Sequence, residues 1–121
     1  MSRTVIALVD DMFFASKIRA TAEAMGVSVS FPRSKEALLE KLASNPPDLV
    51  IADLHNQRMD VVELGKELKT QHNAVPLLGF FSHVEVELQR NALSAGFDQV
   101  IPRSVFARDL GEILGVVKDE G

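Results

Sequence analysis

The chain contains no cysteine. That excludes a disulfide framework and any thiolate metal site, and it is compatible with a reducing compartment. Nor is there an apolar run long enough for a membrane span or a secretion signal, because Asp10 and Asp11 stop the run Val5 to Val9. A cytoplasmic protein is expected. Basic tracts are missing too: 13 Lys and Arg are interspersed among 17 Asp and Glu, for a formal net charge of −4. No continuous positive track is offered to a phosphate backbone, so direct nucleic-acid binding is not expected. No glycine-rich loop follows the first apolar run, where Met12-Phe13-Phe14-Ala15 stands instead. Nucleotide or flavin binding on a backbone cradle is thereby disfavoured.

What is present is the makeup of a folded domain. Hydrophobic residues are 46% of the 121 and charged ones 25%, enough apolar material for one core and far from the signature of disorder. The length fits a single domain, 1–121, with no linker, repeat or separate output domain expected. Short β-branched runs alternate with segments of helical period, as when parallel strands are joined by crossover helices. The expected strands are Thr4 to Val9, Val27 to Phe31, Leu49 to Asp53, Val75 to Phe81 and Gln99 to Ile101, the third and fourth buried on both faces. The expected helices are Phe14 to Met25, Lys35 to Ala43, Val61 to Gln71, Val84 to Ala95 and Val105 to Lys118. Gly26 and Gly96 suit helix C-termini, Ser34 and Ser104 suit N-caps of the second and fifth helices, and Pro46-Pro47 ends the second. These units point to an α/β fold, a doubly wound five-stranded parallel sheet of order 2-1-3-4-5.

In such a sheet, ligands lie beyond the carboxyl ends of the strands. There the chain carries Asp10, Asp11, Asp53, Phe81, Ser82 and Arg103. Three carboxylates on neighbouring strand ends repel one another, and a hard divalent cation such as Mg²⁺ would relieve that repulsion. Taken singly, each has a structural explanation: Asp11 as a helix cap, Asp10 as a solvated group, Asp53 as a loop carboxylate. Together at one rim they favour an acidic pocket.

Leu8-Val9-Asp10-Asp11, the stretch Pro47 to Asp53, Met59-Asp60, Val75 to Leu78 and Ala95 to Asp98 carry a resemblance over the full length. The chain resembles the receiver domains of two-component response regulators, CheY-like signalling modules that are not enzymes in their own right. The resemblance implies that Asp53 is the phosphoryl acceptor. It further implies that Asp11 and Asp53 ligate Mg²⁺ with the backbone carbonyl of His55, Asp10 helping through water, and that a histidine kinase or phosphotransferase is the donor. A carboxylate nucleophile attacking an anionic phosphoryl group needs positioning and charge neutralisation more than acid–base chemistry.

Several positions depart from the family pattern. Phe81 stands where Thr or Ser ends the fourth strand, with Ser82 one residue later. Arg103, preceded by Pro102, takes the place of a Lys followed by Pro, and a guanidinium is a poor substitute for a compact ammonium. Gln57 replaces a Pro and Val61 a Gly, and Val100 stands where an aromatic residue is usual. Two readings follow: an atypical stand-alone receiver phosphorylated on Asp53, or a pseudo-receiver that docks proteins without phosphate. A flavodoxin-like small-molecule site lined by Met12, Phe13 and Phe14 is a third.

Two further motifs are set aside. Asp53-Leu54-His55 is similar to a corrinoid-binding motif but has Arg58 at its glycine position, and His72 and His83 lack ligand spacing and read as solvated histidines. Val84, Val86, Leu88, Leu93, Val105 and Phe106 exceed what the core is expected to absorb. They suggest a downstream partner or a homodimer through the fourth helix, fifth strand and fifth helix.

Overall fold

A strand whose residues are all apolar except the last can be satisfied only between two layers of helices, and β3 (Leu49–Asp53) is such a strand, with all five residues buried. In the computed structural model, which describes residues 3–71 and 75–115, it is the centre of a sheet ordered β2-β1-β3-β4-β5. All four pairings are parallel. β1 (Thr4–Leu8) and β4 (Leu77–Phe81) flank it, and β2 (Ser28–Ser30) and β5 (Gln99–Pro102) form the edges. The expected order and the two-sided burial of the third and fourth strands are both observed. β2 and β4 are shorter than the apolar runs suggested.

Alternation along the strands divides the core in two. Val5, Ala7, Ile51, Leu78 and Phe80 face α1 (Met12–Met25) and the last two helices, whereas Ile6, Leu8, Val50, Ala52, Leu77 and Phe81 face α2 (Lys35–Ser44), α3 (Val61–Gln71) and α4 (Val86–Ala95). Phe80 and Phe81 are therefore both buried, on opposite sides of the sheet. Both can be buried because β4 has helices on both faces. On the α1 side Phe80 stacks on Phe106 with ring centroids 4.6 Å apart, and Phe14 meets both rings at 5.3 and 5.6 Å. Phe106, expected on an outer face, is fully buried.

Helix ends follow local chemistry. Gly26 and Gly96 end α1 and α4 in the left-handed region, with φ of 72° and 111°. At Gly96 a Cβ would also sit 2.6 Å from Lys69 Cγ. Ser34 caps α2 by accepting the Ala37 N–H at 3.1 Å. Ser104 does not cap: the expected last helix begins earlier, behind Pro102, as α5 (Arg103–Arg108). It then breaks at Asp109, whose φ and ψ of −102° and 17° leave the helical region and whose carboxylate turns to Arg108, before α6 (Leu110–Gly115) continues. The remainder of that expected helix, to Lys118, lies outside the described residues.

Deleting the Phe106 ring should cost about 3–5 kcal/mol, since it leaves a cavity against Phe80 and Phe14. Removing the 92% exposed Phe13 ring should change stability by no more than about 0.5 kcal/mol. Urea denaturation of Phe106→Ala and Phe13→Ala checks the contrast.

Candidate functional site

The register that pairs Leu8 with Ala52 brings the residues after β1 beside the end of β3. Asp10 and Asp11 thus share the carboxyl edge of the sheet with Asp53. Asp53 is the one buried charged residue among those described, at 6% exposure. It accepts the His55 N–H on Oδ1 at 2.9 Å, and Oδ2 has no hydrogen bond among the described residues. Burial pushes its carboxyl above the ordinary aspartate value and outweighs the His55 N–H, while the nearby Asp10 charge adds to the rise.

Asp11 caps a helix, as expected, and also pairs with a cation. Oδ1 caps α1 by accepting the Phe14 N–H at 3.1 Å, and Oδ2 accepts from Arg103 Nη2 at 3.1 Å. The Phe14 N–H, acting against partial loss of hydration and helped by the Arg103 guanidinium, holds this carboxyl below its ordinary value. Arg103, the first residue of α5, also lies 4.3 Å over the Phe14 ring. One cation is thereby fixed by charge and by an aromatic face.

Asp10 accepts the Gln57 N–H on Oδ2 at 3.3 Å. A proline at position 57 would have no N–H to give, so this departure from the family pattern creates a contact to the rim. Beside it Asn56 reaches back to the Leu8 carbonyl at 3.0 Å while its Oδ1 accepts the Arg58 and Met59 N–H groups at 2.8 and 3.1 Å. Asn56 was not singled out from the sequence. The only signal was an Asn just ahead of a helical segment, the kind of residue that closes such turns.

His83, read as a solvated histidine, is exposed but partnered. Its N–H donates to His55 Nε2 at 3.4 Å, and the two rings meet edge to face at 5.5 Å. His72 lies outside the described residues. Ser82 is exposed, while Phe81 is buried toward Leu54 and Phe97 and offers the rim no hydroxyl. Met12 and Phe13 are 74% and 92% exposed beside the rim, whereas Phe14 belongs to the core, so the three do not line one pocket.

No three acidic or histidine side chains among the described residues converge on a common metal position. Asp10 and Asp11 are turned to Gln57 and Arg103. The donor chemistry nevertheless fits Mg²⁺: three hard carboxylates share one rim, and the most buried has an oxygen without a partner. Among the described residues no helix is long and apolar enough to cross a membrane.

The two shifted carboxyls give opposite pH signatures. Asp53, with its folded value raised, binds its proton more readily in the folded chain, so stability falls as pH climbs from the unfolded value through the folded one. Asp11, with its folded value lowered, contributes stability above the unfolded value that is lost as pH falls through the folded one. Asp53→Asn should therefore be more stable than wild type at neutral pH, with the gain fading below the ordinary aspartate value. Asp11→Asn should be less stable at neutral pH. Denaturation midpoints of both variants across the acid range check these signs.

The response regulator receiver domain model matches residues 6–114. Response regulator MprA of Mycobacterium bovis (strain BCG / Pasteur 1173P2) is 24% identical over 110 residues, covering 91% of this chain and 48% of the relative. The DNA-binding transcriptional regulator NtrC of Escherichia coli (strain K12) is 28% identical, covering 98% of this chain and 25% of the relative. The chain thus spans half or less of the length of these curated relatives. Among solved structures, a CheY-like receiver domain protein from Methanospirillum hungatei JF-1 superposes with a TM-score of 0.81 at 20% identity, covering 93% of this chain and 90% of that one. A Burkholderia pseudomallei response regulator described with a phosphorylated aspartic acid, a calcium ion and citrate gives 0.79 at 16% identity, covering 95% and 68%. Matched across nearly its whole length by that model, and folded in the same strand order, the chain belongs to the receiver domain family of response regulators.

Proposed function

We propose that this receiver takes a phosphoryl group on Asp53 and passes the signal through protein contacts, as a module of two-component signalling and not as an enzyme turning over a free substrate. The observation that carries the reading is Asp53 itself, a buried carboxylate at the strand-end rim with one oxygen unengaged and two further carboxylates beside it. The donor is a phosphohistidine of a kinase or phosphotransferase. An Asp53 oxygen attacks phosphorus as the donor P–N bond breaks, which leaves an acyl phosphate. Asp10, Asp11, Asp53 and the His55 carbonyl would hold Mg²⁺, which neutralises the charge gathering at the phosphoryl oxygens. Arg103, whose guanidinium pairs with Asp11, would be the cation at hand for the phosphoryl oxygens, and Ser82 is the nearest hydroxyl in sequence to the position that Phe81 fills. The apolar side chains of Met12 and Phe13, exposed next to the rim, suit the docking of the donor.

A second reading is favoured by the Asp11–Arg103 pair and by Phe81: a pseudo-receiver whose rim is neutralised from within and whose partner contacts need no phosphate. The two are separated by incubating the protein with acetyl phosphate and Mg²⁺ and weighing it. Wild type should gain one phosphoryl mass and Asp53→Asn none. Arg103→Lys should gain it faster, because a compact ammonium holds Asp11 less firmly than a guanidinium laid on Phe14. No gain in wild type or Arg103→Lys favours the pseudo-receiver.

The proposed downstream face is formed by α4 and the residues just ahead of it, where Val84, Val86 and Leu93 are 76%, 61% and 55% exposed. Leu88 and Val105 are half-buried and Phe106 belongs to the core, so the apolar face is narrower than the sequence suggested. Concentration-dependent self-association is expected, and Val86→Asp with Leu93→Asp should abolish it. Light scattering that finds the wild type monomeric at every concentration refutes the homodimer.

A further inference from the structure

With Phe81 in place of a hydroxyl residue, events at Asp53 need another route to the α4 face. His55 touches both Asp53 and the segment that enters α4. Its backbone N–H donates to Asp53 Oδ1 at 2.9 Å. Its side chain, 20% exposed, projects across the strand ends to the segment that enters α4. There Nε2 accepts the His83 N–H at 3.4 Å, the ring meets that of His83 at 5.5 Å, and Nδ1 stands 4.0 Å from Glu85 Oε2. Nε2 thus serves as an acceptor, and Nδ1 is left on the side of the carboxylate. Glu85 is the N-cap of α4 and makes no side-chain cap hydrogen bond. The segment that enters α4 is thus met from outside by an imidazole, at a helix end that has no side-chain cap. The His83 hydrogen bond is long compared with the usual 2.9–3.0 Å or so, a contact that a small movement of the β3–α3 loop makes or breaks.

We infer that His55 is a positioning residue that couples the carboxylate of Asp53 to the start of α4, through its backbone N–H on one side and its imidazole contacts with His83 and Glu85 on the other. A change at the Asp53 oxygens that draws or releases the His55 N–H moves the ring, and the ring carries the β4–α4 loop and the helix behind it. The use of this link in signalling rests on Asp53 being the phosphoryl acceptor. The link itself does not.

The test perturbs Asp53 without phosphate and follows backbone amide resonances by NMR. Asp53→Ala removes the acceptor for His55, and Asp53→Asn, which conserves shape, supplies a second perturbation should the first not fold. In an otherwise wild-type chain either change should shift the amides of His83, Glu85 and Val86. In His55→Phe, which keeps an aromatic ring but has no nitrogen, those shifts should fall to the level of residues away from both loops. In His55→Gln, whose amide oxygen reaches the position of Nε2, they should return. Such a rescue is not expected of a side chain that only fills space. Shifts of equal size in His55→Phe, or none in the wild-type background, overturn the proposal. A separate arm adds beryllofluoride with Mg²⁺ as a phosphoryl mimic. An unmoved Asp53 amide there counts against the acceptor reading while leaving the result for the link intact.

Discussion

Burial of β3 on both faces is the constraint on which the rest depends. Leu49 to Ala52 can be withdrawn from water because helices cover each side of the sheet, and parallel pairing with β1 and β4 engages both edges of the strand. Asp53 is carried to the edge of that dry region by covalent continuity alone. Its raised affinity for a proton is a by-product of the strand's packing. The same register brings Asp10 and Asp11 to the same edge, so an acidic rim follows from the core's need to be covered.

Around this rim the chain works through extended side chains. A guanidinium spread over Phe14 answers Asp11, an amide side chain ties the β3–α3 loop to β1, and a ring links that loop to the next. Each makes two contacts at once, which couples parts of the site to one another. The rim is accordingly more cross-linked than its sequence departures, read one at a time, suggest.

Most of the architecture was legible. Apolar runs of five residues and helical periodicity are signals that core formation cannot contradict, so β3 and α3 fall where they were expected and the sheet order follows. Misjudged features were those decided by three-dimensional neighbours. Phe106 has the spacing of a surface residue until Phe80 is seen beneath it, and the break at Asp109 depends on a carboxylate choosing Arg108. In the site, the rim carboxylates were readable because strand ends converge by topology. The partners of His55 were not, because 28 residues separate it from His83 and no periodicity connects two loops. In the sequence Gln57 reads as a missing proline, whereas its contribution is a gained N–H.

Phe14 stands at the junction of these two worlds. One face of its ring supports Arg103, and the ring packs edge-on against Phe80 and at a tilt against Phe106 in the core. A single side chain therefore belongs to the hydrophobic interior and to the counter-ion of an acidic rim. Variation at this position is filtered by two demands together, the volume required inside and the negative π-face required outside. An aliphatic replacement that filled the volume would still remove the seat of the cation, so the charge of the rim can drift over evolution only as fast as the core beneath it can be repacked.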